Sequence, residues 1–219
     1  MDKSKGWDWS KVDDTFWMIP SEDIYFLLHR WKDKSFEDIL DLGCGKGRHS
    51  LLFAENDYKV TGFDLADNGL NVLSLEAKKK KLNIATVKGN VVNLPFEDNA
   101  FDGIIAYHSI YHVNSEGMKK VIDEIYRILK PGGEIYLTLI SKNTYSFTAK
   151  ECKTTDANVR LKEEQEGTFL PHYFVDFEDI KVLFRNFQIV KARQIEDLYD
   201  NKSSWHYFLL LGKEQKNEN

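Results

Sequence analysis

The chain reads as an α/β fold, a mostly parallel sheet of seven strands with helices on both faces and an antiparallel hairpin at its C-terminal end. Three observations predict it. Short apolar runs alternate with stretches of helical periodicity, and strands alternating with helices pair in parallel. A glycine-rich turn, Asp41-Leu42-Gly43-Cys44-Gly45-Lys46-Gly47, joins the first apolar run to the helix after it. A carboxylate, Asp64, closes the second run.

The elements follow in order. Residues 22–31 form a helix with Ile24, Leu27, Leu28 and Trp31 on one face, and Ser21 is placed to cap its free amides. Residues 36–42 are the first strand and 48–56 the next helix. Residues 58–63 are the second strand, followed by a helix over 68–82 with Leu70, Leu73 and Ala77 at helical spacing. Strands at 84–88 and 100–107 come next, then a helix over 116–129. Lys130-Pro131-Gly132-Gly133 stops that helix and turns the chain into a strand at 134–140. The stretch 141–168 is polar and aperiodic, and connections of that length in compact domains are functional or disordered. A helix at 176–184 and strands at 187–192 and 205–211 complete the pattern. The last two are joined through Asp200-Asn201-Lys202-Ser203 as an edge hairpin. The tail at 213–219 is expected to fray.

A chain of 219 residues suits a single domain. Within it, residues 1–33 form an aromatic and helical lid region, and 141–175 an insertion on the substrate side. A hydrophobic fraction of 42% and a charged fraction of 30% are those of an ordinary globular protein. Net charge of −5 offers no basic face to a nucleic-acid backbone. The run Lys78-Lys79-Lys80-Lys81 falls at a helix end, where cations complement the dipole. Two cysteines, Cys44 and Cys152, argue against a disulfide framework and for a reducing cytoplasmic setting. No apolar run approaches the roughly 20 residues that span a bilayer, and the polar start of the chain lacks a signal-peptide core. No His, Cys and carboxylate group has zinc-site spacing, so no metal is expected.

A strand, a glycine turn, a helix and a second strand ending in an acid is how a doubly wound sheet grips a nucleoside. Gly43 and Gly45 let the backbone approach a ligand closely, and Asp64 stands where a carboxylate accepts ribose hydroxyls. The dinucleotide fingerprint needs a third glycine where Arg48 stands, and the Lys-Ser/Thr ending of a phosphate loop is missing. The opening acid suits an ammonium-bearing ligand better than a pyrophosphate. Adenosine joined to a zwitterion is therefore the expected ligand.

At this point the residues resemble a known family. Asp41 to Arg48 is similar to the first motif of class I S-adenosylmethionine-dependent methyltransferases, of the small-molecule "methyltransferase domain" type. Gly62-Phe63-Asp64, Gly89-Asn90, Leu94-Pro95-Phe96, Phe101-Asp102 and Leu129-Lys130-Pro131-Gly132-Gly133 match further motifs in the family's order. The resemblance covers roughly residues 37–140 and implies a Rossmann-like three-layer α/β/α sandwich with S-adenosyl-L-methionine as cofactor. It implies that Asp41, Gly43 and Gly45 line the methionine portion, and that Asp64 takes the ribose. Leu65 and Val91 flank the adenine, and Asn90, commonly Asp in the family, accepts from its amino group. Tyr107 then borders the methionine end.

Transfer from a sulfonium mainly needs donor and acceptor held in line, which in favourable cases supplies about 7–11 kcal/mol. Where the acceptor carries a proton, a base is needed. Tyr107-His108-Ser109-Ile110-Tyr111-His112 follows the fourth strand at the carboxyl edge, where such sheets bind ligands. His108 and His112 are the candidate bases or anchors, with Tyr111 facing the substrate. Pro171-His172-Tyr173-Phe174 can close over the acceptor through His172 and Tyr173. Among the N-terminal aromatics Trp7, Trp9, Phe16 and Trp17, Trp17 lies nearest the first helix and is the lid candidate. His29, His49 and His206 read as structural or exposed. The segment Ala106-Tyr107-His108-Ser109 lacks the Asn/Asp-Pro-Pro-aromatic pattern of nucleobase amino methylation, so a small-molecule acceptor is expected. The alternatives are a non-catalytic cofactor-binding module and a nicotinamide-dependent oxidoreductase.

Overall fold

The computed structural model describes residues 7–12, 15–149, 152–165, 168–199 and 202–215. Helix α1 (Glu22–Asp33) precedes strand β1 (Asp38–Leu42), α2 (Arg48–Ala54), β2 (Lys59–Asp64), α3 (Asp67–Lys80) and β3 (Ile84–Lys88). Strand β4 (Phe101–Ala106), α4 (Ser115–Ile128) and β5 (Leu129–Ser141) follow. Then come α5 (Tyr145–Thr148), β6 (Lys153–Thr154), β7 (Val159–Gln165), β8 (Thr168–Val175), α6 (Phe177–Leu183), β9 (Gln188–Tyr199) and β10 (Lys202–Gly212).

The seven expected strands lie in the order β3-β2-β1-β4-β5-β10-β9. Strands β1 to β5 pair in parallel, and β10 runs antiparallel to both β5 and β9. Successive side chains of a strand point to opposite faces, which explains the two cores. Ile105, Tyr136, Phe208 and Leu210 meet Ile24, Leu27, Leu28 and Trp31 of α1. Their neighbours Ile104, Leu137, Leu209 and Leu211 pack on the other face with Val121 and Ile125 of α4 and Ile180 of α6. Leu70, Leu73 and Ala77 of α3 bury against Leu51 of α2, as their spacing predicts.

Three strands beyond the expected seven are present. The stretch expected to be irregular forms α5, β6 and β7, and it leads into β8 in an antiparallel arm. Its sequence hid the strands because β7, set between β8 and the two-residue β6, is largely charged, and β8 carries Pro171, which argues against a strand. The arm rejoins the sheet where β4 ends, pairing Ile140 with Phe174 and Ser141 with Val175. Both hairpin strands run longer than expected. Lys202 and Ser203 belong to β10, while Asp200 and Asn201 lie outside the described residues, as do 216–219 of the tail and the Phe16 side chain. Between β4 and β5 the register jumps from Phe101↔Leu129 to Gly103↔Glu134, so Lys130-Pro131-Gly132-Gly133 loops out where the turn was predicted.

Ser21 occupies the N-cap position of α1 but makes no side-chain cap. Its hydroxyl donates instead to Tyr107 Oη at 2.9 Å, which ties the start of α1 to the end of β4. No helix among the described residues is long and apolar enough to cross a membrane.

Candidate active site

The site is built at the carboxyl ends of β1, β2 and β4. Gly43, Gly45 and Gly47 all take positive φ, of 77°, 56° and 81°, conformations that glycine adopts without steric cost. A β-carbon on Gly43 would stand 2.2 Å from Ser109 Cβ, so the turn lies directly against the segment after β4.

Two buried acids brace this turn. Asp41 Oδ2 accepts the amide of Ser50 at 3.0 Å and its hydroxyl at 2.6 Å, fixing β1 to the first turn of α2. Burial raises the Asp41 carboxyl to about 6 against the pull of those hydrogen bonds. Asp64 Oδ2 accepts the amide of Gly45 at 2.8 Å, and Oδ1 that of Ala66 at 2.8 Å. Burial raises the Asp64 carboxyl as well. A carboxylate can accept about four hydrogen bonds, so Asp64 keeps capacity for a ligand beyond its two amides. Asn90 lies one strand over: Gly89 donates to the Asp64 carbonyl at 3.0 Å, and Asn90 Oδ1 accepts the amide of Val92 at 3.2 Å. Leu65, Asn90 and Val91 are half-buried beside it.

A cavity of about 50 Å³ remains between the turn and the N-terminal arm, walled by Asp41, Gly43, Tyr107 and His108 together with Trp9, Trp17, Lys46, Arg48 and His49. Of the last group, Trp9 and Trp17 belong to the aromatic segment expected as a lid, whereas the sequence assigns Lys46, Arg48 and His49 no role of their own at the cleft. Arg48 lies over both the Trp17 and Tyr107 rings, 5.2 and 5.3 Å from their centroids. His49 accepts the Ser21 amide on Nε2 at 3.3 Å, and burial followed by the nearby Arg48 charge depresses it to about 3. It was expected to be structural or exposed, and it walls the cleft. Its position in the first turn of α2, straight after the glycine turn, was the available signal.

Behind this wall stands a cluster of imidazoles and phenols. His108 has φ of 51°, uncommon for a residue with a β-carbon; its amide donates to Thr138 Oγ1 at 2.7 Å. Its Nδ1 lies 3.2 Å from Tyr111 Oη and 3.3 Å from Thr138 Oγ1. Burial, then the neighbouring His206, holds His108 well below the usual imidazole value. The His108 and His206 rings are 4.6 Å apart, as are those of His112 and His172. His206, read from the sequence as structural or exposed, is half-buried and depressed to about 4 by burial. The arm closes this group, because the Tyr173 amide donates to the Tyr111 carbonyl at 2.8 Å. His172 is fully buried and its Nδ1 lies 3.1 Å from the Leu170 carbonyl, which makes that nitrogen the donor. Two groups result. Asp41, Gly43, Gly45, Asp64 and Tyr107 surround the glycine turn, with Trp17 above it, and Tyr111, His112 and His172 gather beside His108. Tyr173, expected to face the substrate, joins them only through its amide, since its hydroxyl accepts from Asn158 Nδ2 at 3.4 Å and successive strand side chains face opposite ways. Among the described residues no group of three or more His, Cys, Asp and Glu side chains is placed to hold a metal ion.

The residues at the turn fit a nucleoside bearing an amino acid: glycines at positive φ, acids at the ends of adjoining strands, and half-buried apolar side chains beyond. Comparison with known proteins agrees. Residues 39–133 match the family described as "Methyltransferase domain". A demethylmenaquinone methyltransferase of Listeria welshimeri is 33% identical over 125 residues, 51% of this chain and 52% of that protein. One from Lactococcus lactis is 31% identical over 167 residues, 71% of this chain and 66% of that protein. The chain thus spans about half the length of the Listeria relative. A crystal structure of a SAM-dependent methyltransferase from Methanosarcina mazei superposes with a TM-score of 0.70 at 24% identity, covering 82% of this chain and 93% of that one.

Proposed function

Because the chain belongs to the class I S-adenosylmethionine-dependent methyltransferases, we propose that it transfers a methyl group by in-line displacement to a small-molecule acceptor. One observation carries this reading: the glycine turn stapled by Asp64 adjoins, through Tyr107 and His108, a cluster of imidazoles and phenols. The cofactor supplies an electrophilic methyl on a sulfonium sulfur.

The residues of this chain supply the rest. Gly43 and Gly45 present backbone to the amino-acid end, next to Asp41. Asp64 receives the ribose hydroxyls, while Leu65, Asn90 and Val91 hold the base. Tyr107 limits the methionine end. His108, kept neutral by burial, is a weak base and serves the acceptor hydroxyl as a hydrogen-bond partner that positions it, the lesser of the two roles open to it. His112 anchors the acceptor from the opposite side. Tyr111 and His172, closed in by β8, exclude water from that side, and Trp9 and Trp17 cover the cofactor side. A small acceptor accords with a net charge of −5 and with the names of the two relatives.

The test is calorimetry with S-adenosylhomocysteine and NADH, followed by transfer of labelled methyl to a panel of small acceptors that includes demethylmenaquinone. Binding of S-adenosylhomocysteine with label transfer is expected. Binding of NADH alone overturns the reading. Tight S-adenosylhomocysteine binding with no transfer to any acceptor favours a non-catalytic cofactor-binding module.

A further inference from the structure

We propose that the N-terminal arm gates the cofactor cleft and that Trp9 is its plug; this rests on the cleft at the glycine turn being the cofactor site. The indole ring lies on two glycines. A β-carbon on Gly45 would stand 2.3 Å from Trp9 Cζ2, and one on Gly69 would stand 2.8 Å from Trp9 Cδ1. The turn that brings backbone close to a ligand has thus brought it close to this ring. The cavity left beneath the arm is about 50 Å³, room for a water or two, whereas pockets for drug-sized ligands measure roughly 300–1,000 Å³. The cofactor enters only when the ring moves.

The contacts that hold the arm are of a kind that breaks readily. Lys46 Nζ donates to the Val12 carbonyl at 2.5 Å, and Arg48 Nη1 donates to the Ile19 carbonyl at 3.1 Å. Asn68 Nδ2 donates to Asp8 Oδ1 at 2.9 Å, and Trp17 meets the Trp9 ring edge-on at 5.8 Å. The short 3-10 turn Trp9–Lys11 buries no residue completely, and segments with few buried apolar contacts open at low cost in free energy. The Trp9 Nε1 hydrogen is buried with no acceptor among the described residues, an arrangement that disfavours the closed position. Lys46 and Arg48 belong to the glycine turn and the helix after it, so the latches sit on the element that receives the cofactor.

Stopped-flow binding of S-adenosylhomocysteine tests the gate in the full chain. Trp9→Ala is expected to raise both association and dissociation rates tenfold or more, with a smaller change in Kd. Trp9→Phe keeps a ring over Gly45 and is expected to stay within about twofold of the parent. Lys46→Met, which releases Val12, is expected to speed association and to hasten tryptic cleavage after Lys11. Parent-like rates in both Trp9→Ala and Lys46→Met overturn the gate, as does equal acceleration by Trp9→Phe and Trp9→Ala. Failure of the parent to bind S-adenosylhomocysteine at all overturns the cofactor site itself, and the gate with it.

Discussion

Asp64 accepts the amide of Gly45 on one carboxylate oxygen and that of Ala66 on the other, each at 2.8 Å. The acid at the end of β2 therefore staples the glycine turn after β1, so a variant there tests a role in the fold together with the role proposed for it at the ribose. Replacing it leaves buried amides without an acceptor, at about 1–3 kcal/mol. Asp64→Ala is expected to weaken S-adenosylhomocysteine binding by roughly 1–3 kcal/mol and to lower stability by a similar amount. Asp64→Asn keeps one acceptor oxygen and should fall between. Calorimetry and thermal unfolding of the three proteins check this. Parent affinity in Asp64→Ala removes the ribose role, and parent melting removes the staple.

Gly43 allows a second prediction, because two independent costs meet there. Its φ of 77° disfavours any side chain, by roughly 1–2 kcal/mol. Its missing β-carbon is the space taken by Ser109 Cβ, and overpacking of this kind costs about 1–3 kcal/mol. Gly43→Ala is therefore expected to destabilise by about 3 kcal/mol. Adding Ser109→Gly should recover the steric part and leave the backbone part, which denaturant titration of the single and double variants resolves. Full recovery in the double variant contradicts a backbone cost.

Much of this was legible because the signals were local. The glycine turn, the acid at position 64 and the alternation of apolar runs each occupy a few adjacent residues, and they fix the cleft before any long-range contact is known. What escaped came from contacts between residues distant in sequence. His206 meets His108 only because β10 inserts antiparallel between β5 and β9. Trp9 reaches Gly45 across 36 residues of chain, and its ring gives no periodic signal to say where it lands. The arm failed the strand pattern because β7 is largely charged and β8 carries a proline, and its pairing with β6 and β8 is not written in either stretch alone. Ser21 stands where a cap belongs, yet it serves Tyr107 instead, a partner no local rule selects.

At the far end of the sheet, Glu134 offers a stability prediction that should leave the site untouched. Its carboxylate is nearly inaccessible and receives Arg30 through Nε at 2.8 Å and Nη2 at 2.7 Å, with the Trp31 indole at 3.0 Å. This bidentate pair clamps α1 to the start of β5. Breaking a buried pair by removing one partner is strongly destabilising, here by about 3 kcal/mol because Arg30 remains partly exposed. Glu134→Ala should show that loss in denaturant melts while binding S-adenosylhomocysteine with parent affinity. A loss below about 1 kcal/mol means that solvent already screens the pair.

Acid sensitivity is the last expectation, and its sign follows from the buried imidazoles. His49 and His206 are depressed to about 3 and about 4 from an ordinary 6.5. Above pH 6.5 both are neutral in the folded and unfolded chain alike, so neither alters stability with pH. Below it the unfolded chain binds protons that the folded chain refuses, and stability falls until the pH reaches the folded values. At pH 5 the difference is ~2 kcal/mol for each histidine, at about 1.4 kcal/mol per pH unit. Asp41 acts in the opposite sense. Raised to about 6 from 3.8, it takes up a proton in the folded chain that the unfolded chain does not, and adds stability between those values. Asp64, also raised by burial, acts in the same sense as Asp41, but the three depressed imidazoles of His49, His206 and His108 outweigh the two raised carboxyls. The melting temperature should therefore drop between pH 7 and pH 5, and His49→Gln should flatten the slope by removing one of these depressed imidazoles. A profile that is level, or that climbs on acidification, means these rings are hydrated enough to titrate normally.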